Sequence, residues 1–259
     1  MSSRLVAGVD WAGGQWLAVI FEDRSYEGCI LEEDFAALLE DDDYHSFDLV
    51  VVDVPIGLPD DEETLERREK LDSLARSVTG RPSSVFPVPS RGAAKKAYEG
   101  SDYEDVADQN EEDIEKGLSQ QSYQIAAGIG EVDEFLIKNK DLRETVVEAH
   151  PEVCFRGLLG TKLQYSKNTA AGVGERLEAL GGLVDTPSTL LEEITIDLID
   201  ESAHVDVDDV IDAIALGIVA SQTRNEIRCL PKDWKRDTEE LPMRMVYWAE
   251  ESLETNTDD

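Results

Sequence analysis

The clearest hydrophobic pattern along the chain is a set of short apolar runs bounded by turn residues, which is typical of β-strands. A glycine pair, Gly13-Gly14, marks a tight turn between the first two runs. The LVVV run at 49–52 contains no polar residue, which indicates a strand buried on both faces. The pattern predicts five strands, at residues 4–10, 15–21, 26–31, 49–52 and 144–149.

Apolar positions three and four residues apart predict helices between and after these strands. Asn110 is a candidate N-cap for a long helix that ends near Asn139. The segment 206–222 is apolar on almost all sides, which indicates a buried helix. Helices are predicted at residues 33–39, 62–78, 110–139, 173–181, 187–200 and 206–222, and a last strand at 242–248.

The order of these elements is typical of the RNase H-like fold. Three strands joined by tight turns, a helix, and two further strands with helical crossovers predict an α/β protein with a mixed five-stranded sheet and flanking helices. We predict one domain over residues 1–248 with a helical insertion at about 60–140, and a disordered acidic tail at 249–259. In this fold the fourth strand lies parallel beside the central first strand.

Two of the predicted strands end on a carboxylate at neighbouring places in the sheet. Asp10 ends the first strand and Asp53 ends the fourth, so one strand spacing of about 4.8 Å separates them. A buried, unpaired acid is costly. Pro55 and Gly57 turn the chain away and leave Asp53 at a crevice, where a cation can neutralise it. The alternative is that Asp53 caps the turn that follows.

Further acids occupy matching positions. Glu148 ends the fifth strand, and Asp208, Asp209 and Asp212 begin the apolar helix at a spacing that places them on roughly one face. Acids also favour helix N-termini through the macrodipole, and this is the alternative for Asp208 and Asp209. Asp212 lies among apolar neighbours that should be buried, which indicates a functional role.

Composition adds a strong negative charge. The formal net charge is −34, with 58 acidic residues among 259, which indicates a halophilic source and argues against binding nucleic acid by bulk attraction. The chain has no apolar run of the roughly 18 residues that a membrane helix needs, and no leader segment is expected. The cysteines are isolated, so neither a zinc site nor disulfides are expected, and we expect a cytoplasmic protein.

Two segments depart from this acidity. Residues 73–98 and 153–174 contain no acid, although they contain eight Arg and Lys residues between them. An anionic partner explains this, and phosphates held by Arg, Lys and Ser are the obvious candidate. The alternative is that both segments are buried insertions. The predicted substrate-binding residues are Arg81, Ser83, Ser84, Arg91, Lys95, Lys162 and Lys167.

Several motifs carry a resemblance that covers residues 4–230. GVDWA, VVVDVPIGL, SSVFPVPSR, EAHPEVCF, SKNTAAGVGERL and DDVIDAIA resemble the motif series of the domain-of-unknown-function family numbered 429, regarded as predicted nucleases of the RNase H-like superfamily. The pattern from Asp209 to Ala213 also resembles the last helix of RuvC-type junction resolvases. The resemblance implies an acidic set of Asp10, Asp53 and Asp212, with Glu148 and Asp209 as further members.

The chemistry that follows is two-metal hydrolysis of phosphodiester bonds in nucleic acid. Carboxylates suit Mg²⁺ or Mn²⁺, and paired ions activate water and stabilise the leaving oxygen. His150 is expected to hydrogen-bond locally, and His45 and His204 are expected to be structural. The predicted catalytic residues are Asp10, Asp53, Glu148 and Asp212, and the predicted metal ligands are these four with Asp209.

Two other classes of function stay open on the sequence. GVDWAGGQ resembles the glycine-turn phosphate motif of actin-like and sugar-kinase phosphotransferases, although 259 residues are few for their two domains. The other alternative is a non-catalytic module that binds anions or nucleic acid through the basic segments.

Overall fold

The computed structural model describes residues 3–40, 44, 46–198 and 205–254. A five-stranded sheet forms the centre, and a two-stranded sheet packs beside it. The strands are β1 Leu5–Ala12, β2 Gln15–Glu22, β3 Ser25–Glu32, β4 Leu49–Val52, β5 Val146–Glu148, β6 Ile227–Arg236 and β7 Pro242–Trp248. The helices are α1 Phe35–Leu39, α2 Glu62–Val78, α3 Arg91–Tyr98, α4 Tyr103–Ile114, α5 Gln120–Lys138, α6 Pro151–Leu159, α7 Ala170–Leu180, α8 Pro187–Asp197 and α9 Val207–Ala220.

The central sheet has the strand order β3-β2-β1-β4-β5. β1, β2 and β3 are antiparallel neighbours, whereas β4 is parallel to both β1 and β5. All four residues of β4 are buried, because helices cover both faces of the sheet. The predicted mixed five-stranded sheet with flanking helices is therefore confirmed, with β4 parallel beside β1.

The two faces of the sheet pack against different helices. One face packs on α9, with α6, α7 and α8 beyond it. The other face packs on α1 and α5. Side chains alternate along a strand, so each residue of β1 and β4 belongs to one of these two cores.

The predicted helix over 110–139 is wrong, because the chain breaks there into α4 and α5. Glu115 ends α4 in a left-handed conformation with φ 54°, and Ser119 begins α5 by capping the Ser122 amide. Asn110 lies inside α4, where its side chain accepts from the Ser90 amide and donates to the Lys116 carbonyl. The Asn110 side chain therefore links two loops, at Ser90 and at Lys116, and does not cap a helix.

Three further elements, α3, α6 and β6, were not predicted from the pattern. The predicted last strand is confirmed as β7, and it pairs with β6. Packing continues past it, because Leu253 is buried and its amide donates to the Tyr247 hydroxyl at 3.0 Å. The rest of the predicted tail, residues 255–259, lies outside the described residues, as do His45 and His204. Within the described ranges, no helix has the length and apolarity needed to cross a membrane.

A glycine sets how closely α9 approaches the sheet. A Cβ atom on Gly8 of β1 would lie 2.0 Å from the Gly217 amide nitrogen and 2.2 Å from the Ala213 carbonyl oxygen of α9. No residue with a side chain fits at this contact. The backbones of β1 and α9 therefore touch at Gly8 and residues 213–217 of the helix.

We expect Gly8→Ala to lower the free energy of unfolding by about 1–3 kcal/mol or more, because backbone atoms must separate to admit the methyl group. Gly174→Ala is the matched control, since Gly174 lies in α7 with open space around its Cα. The control should be neutral or stabilising by up to about 1 kcal/mol. Urea denaturation of both variants measures the difference, and equal stability would contradict the close contact.

Candidate active site

Asp10 and Asp53 lie side by side at one end of the central sheet. β1 and β4 are parallel neighbours, with Val9 opposite Val52. The Asp53 amide extends this pairing by donating to the Val9 carbonyl at 2.9 Å. Crevices of open α/β sheets lie at the carboxyl ends of parallel strands, which is where these two acids are.

Both acids point to the same face of the sheet as α9. Gly8, two positions before Asp10, contacts α9, and Val51, two positions before Asp53, packs in the same core as that helix. Because side chains alternate with a period of two, the two carboxylates share this face. Asp212, in the second turn of α9, lines the same crevice, and its side chain is buried. The structure thus brings together the three central acids of the predicted site.

Burial and mutual repulsion raise the pKa values of these three acids. Burial raises the pKa of Asp10 well above its usual range, and Asp53, Asp212 and Asp209 raise it further by repulsion. Burial also raises the pKa of Asp53 and that of Asp212 to about 7, although Lys167 draws both down. A group of acids perturbed by burial and by one another in a crevice is a mark of a functional site.

Lys167 is the cation that the chain itself supplies to the cluster. Its Nζ atom lies 3.0 Å from Asp212 Oδ2 and 2.9 Å from Asp208 Oδ2. Burial opposes its charge, but the two carboxylates outweigh burial and raise the pKa of Lys167 above its ordinary value. Lys167 was predicted to bind a substrate phosphate, but in the structure its ammonium group binds the carboxylates of Asp208 and Asp212.

Glu148 was predicted as a catalytic residue and a metal ligand; it lines the crevice, but protein donors engage both of its carboxylate oxygens. It pairs in register with Val52, one residue before Asp53, so its side chain leaves the sheet on the opposite face. There, Arg68 of α2 donates to both carboxylate oxygens, at 2.6 and 2.8 Å, and the Ile56 amide donates to one of them at 2.8 Å. Arg68 also binds Asp72. Glu148 therefore braces the turn after β4 and has its oxygens filled by protein donors.

Glu152 takes the place in the crevice that was predicted for Glu148. It lies in the first turn of α6, and it raises the pKa of Asp53 by repulsion, after burial and Asp209. Arg176 binds its Oε1 atom, while its Oε2 atom is buried with no hydrogen-bond partner. The Oδ1 atom of Asp212 is also buried without a partner. Two unpartnered carboxylate oxygens therefore remain in this crevice, where a cation can bind them.

His150 makes local hydrogen bonds, as expected, and they anchor residues 84–88, which form the roof of the crevice. Its Nδ1 atom accepts from the Glu152 amide at 3.2 Å, so Nε2 carries the proton and donates to the Ser84 carbonyl at 3.1 Å. Arg76 Nε donates to the Val85 carbonyl at 3.0 Å. The segment 84–88 is thus tied down over the carboxylates from two sides.

The crevice also has an apolar wall. Its volume is about 290 Å³. The indole of Trp11 packs edge-on against Trp16 with 4.5 Å between ring centroids, and a Cβ atom on Gly128 would lie 3.2 Å from it. The apolar lining includes Trp11, Val54, Pro55, Phe86, Pro87 and Ile125.

The structure does not bring Arg91 to the crevice, contrary to prediction. Its guanidinium binds three carboxylates, those of Asp60 at 2.7 Å, Asp133 at 2.9 Å and Asp237. This cluster joins α3 to α5 and to the loop after β6. Arg91 therefore has a structural role, because its guanidinium donors already bind carboxylates of the protein.

The other basic residues predicted to bind substrate also lie outside the crevice lining. Lys95 pairs with Glu134 at 3.4 Å, and Lys162 donates to the Ser77 carbonyl at 2.8 Å. Arg81 belongs to the loop that leads into the roof. Ser84 lines the crevice, whereas Arg81 and Ser83 do not. Contacts within the protein thus engage Arg91, Lys95 and Lys162. Lys95 and Lys162 are nevertheless exposed, so the two acid-free segments are not the buried insertions of the alternative.

The metal-binding geometry is not preformed. Among residues 3–40, 44, 46–198 and 205–254, no group of three or more His, Cys, Asp and Glu side chains is arranged to hold an ion as it stands. Lys167 accounts for part of this, since it binds Asp212 and Asp208 directly. The donor set itself is all carboxylate, with two oxygens unpartnered, and such oxygen donors suit Mg²⁺ and Mn²⁺.

Comparison with known proteins places the chain in a family. Residues 8–236 match the sequence model of a family described as "Protein of unknown function (DUF429)". The chain belongs to this family. No curated protein and no solved structure matches it. The span shared with DUF429 runs from β1 to the end of β6, so it includes every acid of the crevice. The DUF429 description assigns no activity, and the function therefore has to be inferred from the crevice.

Proposed function

We propose that the protein is a divalent-metal-dependent hydrolase of phosphodiester bonds, a nuclease of the RNase H-like type. The observation that carries the proposal is the meeting of Asp10, Asp53 and Asp212 on one face of the sheet. A strand order with β4 parallel beside a central β1 supports the RNase H-like assignment. Asp10 and Asp212 are buried and Asp53 is half-buried. Three such acids with raised pKa values are costly to keep together, and a cation site explains why they are together.

The residues that would hold Mg²⁺ or Mn²⁺ are Asp10, Asp53 and Asp212, with Asp209 and Glu152 beside them. Such an ion, when bound, lowers the pKa of water and stabilises the charge of the leaving oxygen. Glu152 replaces Glu148 in this set because its Oε2 atom is unpartnered, whereas both Glu148 oxygens accept from Arg68.

Other side chains orient and enclose the acids. The Trp11 amide donates to Asp10 Oδ1 at 2.9 Å, which fixes the direction of that carboxylate. Arg68 and Glu148 fix the turn that follows Asp53 through the Ile56 amide. The roof, residues 84–88, lines the crevice beside the acids, and the burial of Asp10 and Asp212 strengthens the charge interactions that they make.

Lys167 and a metal ion must compete for Asp212, since the ammonium already occupies Asp212 Oδ2. Lys167→Met should therefore bind Mn²⁺ more tightly than the parent does, by about tenfold for a lost competing ion pair. Lys162→Met is the matched control, because Lys162 lies in the same loop and contacts only a carbonyl. Isothermal titration calorimetry in molar KCl measures both affinities.

Hydrolysis is the direct test of the proposed function. The parent protein should cleave phosphodiester substrates when Mg²⁺ or Mn²⁺ is added, and a chelator should abolish the activity. The panel contains single-stranded DNA, duplex DNA, RNA and a nucleoside phosphodiester, each at low and at molar salt. If no substrate is cleaved and calorimetry shows no binding of Mn²⁺, the proposal is wrong.

A further inference from the structure

Provided that the proposed hydrolase activity is correct, we infer that its substrate is a single nucleotide unit, either a small nucleoside phosphodiester or an unpaired strand end, and not a duplex. Its base lies on the apolar wall of the crevice while its phosphate faces the acids. Three features of the described residues lead to this inference: the enclosed shape, the aromatic wall and the distribution of cations.

The shape of the crevice limits the size of the occupant. Its volume of about 290 Å³ is at the lower end of the range for sites that bind small molecules, roughly 300–1,000 Å³. The roof is fixed by the Ser84 and Val85 carbonyls, which accept from His150 and Arg76. The roof lines the same space as the acids, so a phosphate bound to the acids shares that space with the roof. One nucleotide fits such a space, whereas the backbone of an intact duplex remains outside it.

The apolar wall of the crevice includes aromatic side chains on which a base can stack. The Trp11 side chain is only half-buried, and it is held in place by Trp16 and by the close approach of Gly128. Phe86, in the roof, is half-buried and lines the same space. Bases of every kind stack on fixed aromatic side chains, because each base has a π-face. Trp11 and Asp10 are successive residues of β1, so their side chains leave opposite faces of the sheet, and both line the crevice at its end.

The Arg and Lys side chains that line the crevice are already paired with carboxylates, which limits how many phosphates they can bind. Within the described part of the chain, the basic residues that line the crevice are Arg68 and Lys167, and each is bound to two carboxylates. Arg91 and Lys95, predicted to hold flanking phosphates, are likewise paired with acids. A protein that binds duplex DNA contacts about 6–10 phosphates through free Arg and Lys side chains. Among the described residues, no Arg or Lys other than Arg68 and Lys167 lines the crevice, and a net charge of −34 repels a long polyanion.

The test compares two probes in Mn²⁺, thymidine 5′-(p-nitrophenyl phosphate) and a blunt duplex oligonucleotide. Hydrolysis of the first consumes one water. The P–O bond to the aryl oxygen breaks, a P–O bond to the water oxygen forms, and the protons go to solvent, leaving thymidine monophosphate and p-nitrophenolate. The expected result is a higher kcat/KM for the nucleoside diester than for the duplex.

Substitutions in the apolar wall test whether the base of the nucleotide binds there. Trp11→Leu should raise KM for the nucleoside diester about tenfold, as expected for loss of one stacked base. Trp234→Leu is the matched control, since Trp234 lies on β6 outside the crevice and stacks with Arg244. Phe86→Leu provides the same comparison if the Trp11 variant does not fold. Calorimetry with thymidine monophosphate and Ca²⁺ gives a readout that does not depend on turnover.

Each outcome decides between the two proposals. Loss of nucleotide binding in the Trp11 or Phe86 variant, with the Trp234 variant unchanged, supports the inference. Preferential cleavage of the duplex, weakened by Lys95→Ala or Arg81→Ala, overturns the inference and leaves the proposed function intact. Failure of the parent to cleave either probe, without Mn²⁺ binding, overturns the proposed function and the inference with it.

Discussion

Asp53→Asn is expected to abolish hydrolysis and, in the absence of metal, to make the protein more stable. The amide cannot supply the charged oxygen that a divalent ion requires, and we expect a loss of at least about a thousandfold in kcat, as for removal of one essential group in a catalytic set. The gain in stability arises because one of several crowded negative charges is removed. We expect it to be on the order of 2 kcal/mol above neutral pH.

The effect of Asp53→Asn should depend on pH in a defined direction. The folded protein holds the Asp53 proton up to about pH 7, whereas an unfolded chain releases it near pH 4. Between these values the folded state binds more protons, so the free energy of unfolding of the metal-free parent falls as the pH rises. In the Asp53→Asn variant this group does not titrate, so its free energy of unfolding does not fall for this reason. The stability difference between variant and parent should therefore be small near pH 4 and largest above pH 7.

Chemical denaturation of metal-free protein at several pH values measures this difference. Asp108→Asn is the matched control, because Asp108 is an exposed acid of α4 and should change the stability by less than about 0.5 kcal/mol. A variant of Asp53 that melts well below the parent without metal would show that this carboxylate is a structural group.

Arg68→Met is expected to cause the largest loss of stability, about 3–5 kcal/mol, because it leaves buried charges without a partner. Arg68 is fully buried and binds Glu148 and Asp72, which are also buried. Burial already raises the pKa of Glu148 against the opposing effect of Arg68, so Glu148 should take up a proton in the variant. The loss should therefore be greatest at high pH.

Arg67→Met is the matched control on the same helix, since Arg67 is partly exposed and its ion pair with Glu63 is at the surface. It should cost less than about 1 kcal/mol. Arg68→Met combined with Glu148→Gln should recover about half of the loss, because the second change removes the stranded charge. If Glu148 is instead a metal ligand, Glu148→Gln alone will weaken Mn²⁺ binding as strongly as Asp53→Asn does.

The pairing of Asp10 with Asp53 could be predicted because it depends on local patterns. Each residue ends an apolar run, and the order of the strands places the runs side by side. The position of Glu148 could not be predicted in this way. A register offset of one residue turns its side chain to the other face of the sheet, and that offset is set by the packing of β5 on β4.

Contacts between distant segments explain the other differences. The three acids around Arg91 lie 31, 42 and 146 residues away in the sequence, so no local pattern shows that its charge is satisfied. Glu152 could have been identified, since Pro151 is a typical first residue of a helix and would place the next residue at its N-terminus. Gly117 and Ser119 likewise mark the break between α4 and α5.

The glycine contact between β1 and α9 has a consequence for the charges it brings together. Asp10 and Asp212 lie on two backbones that touch at Gly8, so the strand and the helix move as one body. Repulsion between their carboxylates cannot be relieved by small shifts of either element. The repulsion has to be reduced by a positive charge that binds between the carboxylates. This charge is a proton, the Lys167 ammonium or a dissolved cation. The fold thus fixes the distance between Asp10 and Asp212, whereas the positive charge that neutralises them can be exchanged.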